Sequence, residues 1–234
     1  QNNNRKRIKR YIEVRSAEFG SVLVVSQQEL EMDLRALGLP GNVETGHFNG
    51  MRGLDKYKDV DCLIIIGRTQ APPEQAEMRS EVLFDRVPER GPDWDGTYYP
   101  RRKVGICQLG HNGGPPLEME YHPDPEAEAV RWSICEAELI QIIGRGRGVN
   151  RKADNPLQID IIGTVPLPVD VSEVLDWASA QADPFKLMLA RGIFPDCVRS
   201  TKGYGNVVAA ILPDLFKDSQ AVQDWGRALT LESA

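Results

Sequence analysis

The chain has 234 residues and a formal net charge of −6 at pH 7. This length suits one large domain, or one domain with a small appendage, and needs no disulfide or metal to complete its core. The acidic balance excludes attraction to nucleic acid by bulk charge, so any such site must be a local basic patch. The sequence shows no membrane-spanning run and no signal peptide, which predicts a cytoplasmic protein with no membrane partner. The chain begins with Gln1 rather than Met, which indicates a piece of a longer protein.

Residues 5–84 alternate between amphipathic and continuously apolar stretches. "SVLVVS" and "DCLIIIG" are runs typical of strands buried on both faces. Ser26 and Glu29 form the pattern of a capping box, and Pro72 and Pro73 suit the first turn of a helix. The pattern predicts helices over 5–19, 27–38 and 72–84, and strands over 21–26, 43–48 and 61–67.

Residues 85–125 are rich in proline and glycine and interrupt this alternation. They predict an irregular insertion and not a linker, because apolar and aromatic residues persist there, with a β-hairpin or ribbon in "TYYPRRKVGICQL". A long helix over 124–144 and a strand over 157–165 follow. Together these elements predict an α/β domain over residues 1–165, with a parallel sheet and helices on both of its faces. A small helical tail is predicted over 166–234.

Three groups of side chains have competing interpretations. The basic residues between Arg5 and Arg10 are typical of a solvated helix face, with a nucleic-acid contact as the alternative. The aromatic residues Trp94, Tyr98 and Tyr99 either pack the insertion onto the domain or stack on bases. Three cysteines in apolar surroundings favour structural thiols over a metal site: Cys62, Cys107 and Cys135.

Two short motifs lie in order along the chain. Residues 52–55 read Arg-Gly-Leu-Asp and precede a strand, and residues 141–145 read Gln-x-x-Gly-Arg at a helix end. Their order and context resemble the second RecA-like domain of superfamily 2 helicases, over residues 21–165 without the insertion. The insertion is similar to those of helicase-like proteins of phages and plasmids. Many members place a second arginine three residues after the first, a position that Gly148 takes here, between Arg147 and Arg151.

The resemblance implies a RecA-like fold and one wall of an ATP site. It implies phosphate-directed catalytic roles for Gln141, Arg145 and Arg147, and nucleotide binding by Gly53, Asp55 and Gly144. The chain has neither a G-x-x-x-x-G-K-[ST] loop nor an acidic strand-end pair for magnesium. ATP with Mg²⁺ is therefore expected to be bound mainly by an N-terminal RecA-like domain of the same protein, and this chain alone to be inactive.

Arginine and glycine suit this chemistry for physical reasons. A guanidinium is always charged and contacts phosphate oxygens in pairs, and phosphoryl transfer builds negative charge for it to stabilise. Glycine, as at Gly144, lets the backbone approach a ligand closely. The alternative for Arg145 and Arg147 is a solvated basic loop, because the dipole of a helix favours cations at its C-terminus.

A second site is expected where the strands end. The carboxyl ends of parallel strands share one edge of a sheet, where such folds place ligands. The resemblance implies that nucleic-acid phosphates cross this edge, and DNA is favoured over RNA as the partner. The residues expected there are Ser26, Gln27, His47, Asn49 and Arg68. For His47 the alternative is a structural histidine with its hydrogen bonds satisfied within the fold.

The resulting hypothesis is the C-terminal motor half of an ATP-dependent nucleic-acid helicase or translocase. Two alternatives stay open. One is a non-catalytic nucleic-acid-binding module that uses the Gly-Arg segment and the aromatic residues of the insertion. The other is a protein-interaction domain that keeps a RecA-like shape without its chemistry.

Overall fold

The computed structural model describes residues 2–51, 57–91, 94–110, 114–193 and 201–232. The chain divides into two compact units, one of residues 19–176 and one that joins residues 1–18 to 177–234. The helices are α1 (Asn2–Glu18), α2 (Gln28–Ala36), α3 (Pro73–Phe84), α4 (Pro125–Ile134), α5 (Glu136–Arg145), α6 (Trp177–Ala180), α7 (Pro184–Ala190), α8 (Thr201–Ile211) and α9 (Ser219–Glu232). The strands are β1 (Val22–Ser26), β2 (Val43–His47), β3 (Cys62–Ile66), β4 (Arg101–Gly105), β5 (Pro116–Glu120) and β6 (Gln158–Ile162).

The larger unit is built on a four-stranded parallel sheet in the order β2-β1-β3-β6. Val22 pairs with Val43 on one side and with Cys62 on the other, and Cys62 pairs with Gln158. All residues of β1 and β3 are buried, as their uninterrupted apolar sequence predicts. The predicted parallel α/β sheet is therefore confirmed, with strand ends within one to three residues of those expected.

Helices cover both faces of this sheet. On one face, Leu63 and Ile65 of β3 join an apolar cluster with Leu139 and Ile142 of α5. On the other face, Glu31 of α2 accepts hydrogen bonds from side chains of β2. The β2 residues that α2 contacts alternate with the β2 residues that are in register with Leu63 and Ile65. Because alternate strand residues point to opposite faces, α2 and α5 lie on opposite sides of the sheet.

The segment predicted as one helix over 124–144 forms two helices, α4 and α5. The break lies at Cys135 (φ −96°, ψ −76°), where Thr69 donates its hydroxyl to the carbonyl of Ile134 at 2.6 Å. Across the break, fully buried Arg131 bonds to Glu136, also buried, at 2.7 Å. Burial chiefly, with Glu136, raises the pKa of the Cys135 thiol to about 12. Cys135 is therefore a protonated structural thiol.

The insertion has a paired ribbon and a packed aromatic group. β4 lies within the 97–109 stretch predicted as a hairpin or ribbon. It pairs in antiparallel register with β5, which lies beyond that stretch. Tyr99 is buried, and its hydroxyl donates to the carbonyl of Ala71 at 3.0 Å. Trp94 stacks on Tyr99, with ring centroids 6.2 Å apart. Packing therefore occupies these two rings, whereas Tyr98 is 82% exposed.

The smaller unit joins α1 to the C-terminal helices. Val14 of α1 packs in an apolar cluster with Leu187, Val208 and Leu212. The basic start of the chain is paired within this unit, since Arg10 bonds to Asp214 at 2.7 Å. This grouping differs from the predicted boundary at residue 165, which placed the first helix with the sheet. The apolar residues of α1 are buried against α7 and α8, a partnership that its own sequence does not reveal.

Other local predictions also differ from the structure. Ser26 ends β1 and does not cap a helix, because α2 begins after Gln27 and has no side-chain cap. Cys107 is exposed, and not buried like Cys62 and Cys135. Cys197 lies outside the described residues.

In the described part of the chain, every helix is too short or too polar to cross a membrane.

Replacing Arg131 with alanine should lower the free energy of unfolding of this chain by about 3–5 kcal/mol, because it leaves Glu136 charged and buried without its partner. Urea denaturation followed by circular dichroism measures this change. Arg227→Ala is the control, since that side chain is 67% exposed and is paired with Asp224, which is 60% exposed. Its effect should stay within about 0.5 kcal/mol, and equal losses in the two variants would contradict the role given to Arg131.

Candidate functional site

A polar cavity of about 720 Å³ lies where β1, β2 and β3 end. It is called the carboxyl-edge cavity here. Three of the residues predicted at this edge line it, namely Gln27, Asn49 and Arg68. The remainder of its wall comes from α3, α4, α5 and the segment before α3: Thr69, Gln70, Ala71, Gln75, Arg79, Ser133, Ile134 and Glu138.

Two left-handed backbone positions shape this edge. Gly67 (φ +77°) ends β3, and its N–H donates to the carbonyl of Ile162 at 2.9 Å. Asn49 (φ +63°) follows β2, and its N–H donates to the Glu138 carboxylate at 2.8 Å. Glycine and asparagine tolerate this conformation better than other residues. Both turns bring the chain directly from a strand end into the cavity wall.

Arg68 is held by a small network. Its guanidinium lies 2.7 Å from Glu120 of β5, and Gln70 donates to the same carboxylate at 2.5 Å. Gln27 donates to the main-chain carbonyl of Arg68 at 3.0 Å. Burial opposes ionisation of Glu120, but Gln70 and Arg68 outweigh it and lower the pKa of this carboxyl. Glu120 therefore stays charged and orients one end of the guanidinium.

Sequence reasoning missed a second arginine in this cavity. Arg79 lies on α3 and is exposed, and among the described residues it has no hydrogen-bonding or ion-pair partner. Gln75 lies one helical turn before it and lines the same cavity. The sequence does show that Gln75 and Arg79 are four residues apart and share one face of the predicted 72–84 helix. It does not show that this face lies at the ends of the strands.

Two residues predicted at this edge lie outside the cavity wall. Ser26 is 1% exposed, and its hydroxyl donates to the carbonyl of Gln27. Ser26 is the last residue of β1 and is buried there, so its hydroxyl is inaccessible to a phosphate. His47 bonds through Nδ1 to Glu31 at 2.8 Å, and its ring lies over Gly50, where a Cβ would come 2.5 Å from Nε2. The His47 side chain is thus engaged with α2 and the following turn.

The Gln-x-x-Gly-Arg motif lies at the other edge of the sheet. α5 begins beside Asn49 and ends beside residues that precede β3 and β6, so it runs opposite to the strands. A five-residue strand separates the two edges by roughly 15 Å. Gln141 and Arg145 are four residues apart and share one face of α5. Arg145 makes no ion pair or hydrogen bond within the described ranges.

A second cavity, of about 440 Å³, lies beyond the end of α5. It is called the amino-edge cavity here, because Lys58 and Asp59 in its wall precede β3. Arg147 lines it in a left-handed conformation (φ +50°), which costs a residue with a Cβ on the order of 1 kcal/mol. The other lining residues are Asn150, Arg151, Lys152, Asp154 and Asn155.

The two glycines around Arg145 have different surroundings. A Cβ at Gly144 would meet no atom within 4 Å, whereas a Cβ at Gly146 would lie 2.3 Å from Cδ2 of Leu157. Packing within the fold therefore explains Gly146 and leaves Gly144 unexplained. Gly53 and Asp55 of the other predicted motif lie outside the described residues, although Lys58 and Asp59, shortly after them in sequence, line the amino-edge cavity.

Comparison of the chain with protein-family models, with curated proteins and with solved structures found no match. The described residues include no group of three or more His, Cys, Asp or Glu side chains placed to hold a metal ion.

Replacing Gly144 with alanine should raise the free energy of unfolding of this chain by up to about 1 kcal/mol, because alanine favours the helix and its methyl group enters open space. Gly146→Ala is the matched variant and should lower it by about 1–3 kcal/mol through the clash with Leu157. Thermal and urea denaturation measure the change in the free energy of unfolding for both variants. A loss of stability in Gly144→Ala would mean that the space above Gly144 is already filled.

Proposed function

We propose that this chain is the second RecA-like half of an ATP-dependent nucleic-acid helicase or translocase. The observation that carries the proposal is the separation of two cavities on one parallel sheet. The amino-edge cavity is lined by arginines and lysines together with Asp59 and Asp154, and Arg145 ends α5 two residues before Arg147 of its wall. The carboxyl-edge cavity is lined by arginines and amides together with Glu138. A motor of this kind needs separate places for a nucleotide and for a nucleic-acid strand.

Arg145 and Arg147 would serve the nucleotide. In ATP hydrolysis a water oxygen bonds to the γ-phosphorus while the bond to the β–γ bridging oxygen breaks, and the charge passes to ADP. Guanidinium groups near these oxygens stabilise that charge. Gln141 would orient the water or a phosphate oxygen, and the open space at Gly144 would admit the ligand. Gly53 and Asp55 keep their proposed nucleotide contacts.

The proposal assigns the phosphate loop and Mg²⁺ to an N-terminal RecA-like domain of the same protein. Among the described residues, no group of three or more His, Cys, Asp or Glu side chains is placed to hold a metal ion. When bound, Mg²⁺ would neutralise the phosphate charge. This chain would supply arginines across the interface between the two domains.

Nucleic acid, with DNA favoured, would cross the carboxyl-edge cavity. Arg68, Arg79, Gln27 and Asn49 present donors suited to phosphate oxygens, which position a strand without reading its sequence. Ser26 is buried and His47 is engaged with Glu31, so neither is proposed as a contact in this conformation.

In the full-length protein, Arg145→Ala should lower the kcat of ATP hydrolysis by roughly 10³-fold and change the affinity for ATP much less, because the guanidinium acts in the transition state. Steady-state hydrolysis and ATP titration measure the two effects. Arg227→Ala, on a side chain that is 67% exposed and is paired with Asp224, should leave both unchanged. The isolated chain should show no turnover above background, and robust hydrolysis by it would contradict the proposal.

Arg79→Ala should weaken the binding of unrelated nucleic-acid sequences by the same factor and reduce the salt dependence by about one phosphate contact, a slope change of roughly 0.7–0.9. Arg68→Ala should do the same, with an added effect from the loss of its pair with Glu120. Fluorescence anisotropy over a range of salt concentrations measures both variants, again with Arg227→Ala as the control. A loss confined to one sequence would argue against phosphate contacts.

These two experiments also separate the alternatives. Binding that depends on Arg79, without ATP hydrolysis by the full-length protein, would identify a nucleic-acid-binding module. Neither binding nor hydrolysis would leave the protein-interaction domain.

A further inference from the structure

Arg147 and Arg151 flank the position where a second arginine is expected, and their surroundings differ. Arg147 takes a left-handed conformation between Gly146 and Gly148. A glycine would adopt this conformation without strain, yet the chain places arginine there. Strained residues of this kind concentrate at functional sites. The side chain of Arg147 is exposed and lines the amino-edge cavity, whose wall also has two lysines, Lys58 and Lys152, and two aspartates, Asp59 and Asp154.

The guanidinium of Arg151 is directed inward. Its Nη2 donates to the carbonyls of Lys58 at 2.8 Å, Val60 at 2.7 Å and Gly146 at 3.2 Å. Its Nη1 lies 3.4 Å from the amide oxygen of Asn155. These carbonyls belong to the segment before β3 and to the end of α5, so one side chain ties the two together. A phosphate could recruit this guanidinium only by breaking those bonds.

We infer that Arg151 is a positioning residue and that Arg147 is the second arginine presented to the phosphates of a nucleoside triphosphate. Arg151 fixes the carbonyl of Gly146, and the next residue is Arg147. The loop is closed on its other side by hydrogen bonds from the N–H of Asn150 to the carbonyl of Arg147 and from the N–H of Arg151 to that of Gly148. This inference rests on the proposed function and assigns the roles within its nucleotide site.

A double-mutant cycle on the full-length protein tests these roles, with ATP hydrolysis measured well below the melting temperature of each variant. Arg147→Ala should lower kcat by at least about 10²-fold with a smaller change in KM. Arg151→Ala should also lower kcat, but it should change little when added to Arg147→Ala, because Arg151 acts through Arg147. Losses that multiply in the double variant would overturn the inference, since Arg151 would then act on its own.

Arg147→Gly separates the side chain from the backbone. This variant should unfold at the same or a higher temperature than the wild type, because glycine relieves the left-handed strain. It should nevertheless lose the same kcat as Arg147→Ala. Wild-type kcat in Arg147→Gly would overturn the role given to the guanidinium.

Failure of the proposed function would be seen separately, as absence of ATP hydrolysis by the wild-type full-length protein. Whether Arg151 holds this loop in place is then measured in the isolated chain, by hydrogen exchange of the backbone amides of the loop. Arg151→Ala should speed exchange of the Asn150 amide by roughly tenfold, because the loop opens more readily. Unchanged exchange would show that Arg151 does not hold the loop.

Discussion

Packing of α5 on the sheet is the constraint on which both cavities depend. Leu139 and Ile142 are buried with Leu63 and Ile65, which sets the direction of the helix across the strands. Glu138, near the start of α5, then reaches the turn at Asn49. Arg145, at its end, lies about 10 Å further along the helix axis, at 1.5 Å per residue. A shift of α5 along the sheet would therefore alter both cavities together.

The distribution of charge follows from which arginines have partners. Four other arginines are paired with carboxylates of this chain, with Arg131 fully buried and Arg86 and Arg90 at the surface: Arg10, Arg86, Arg90 and Arg131. Arg79 and Arg145, by contrast, have no ion pair or hydrogen bond among the residues that the structure describes. This acidic protein can thus present positive charge at two edges of its sheet, because most of the other arginines that the structure describes are paired with carboxylates.

The arrangement also relates strain and packing to function. Gly67 and Asn49 take left-handed conformations that direct the chain into the carboxyl-edge cavity. Arg147 takes one as well, at a position where its neighbours are both glycine. The first two conformations suit their residue types, whereas the third is maintained against the preference of an arginine. Residues held in sparsely populated backbone conformations concentrate at functional sites.

The amino-acid sequence by itself determined the four strands of the sheet, their parallel α/β arrangement and the helices beside them, because hydrophobic periodicity is a local property. It also brought Gln27, Asn49 and Arg68 to one edge, since the residues that follow parallel strands must meet there. Only the tertiary structure decided that Ser26 is buried, that α4 and α5 separate at Cys135, and that Arg79 joins Arg68. Only the tertiary structure gave Arg147 and Arg151 different surroundings. The carbonyls of Lys58 and Val60 are some ninety residues from Arg151 along the chain, so packing alone makes them its partners.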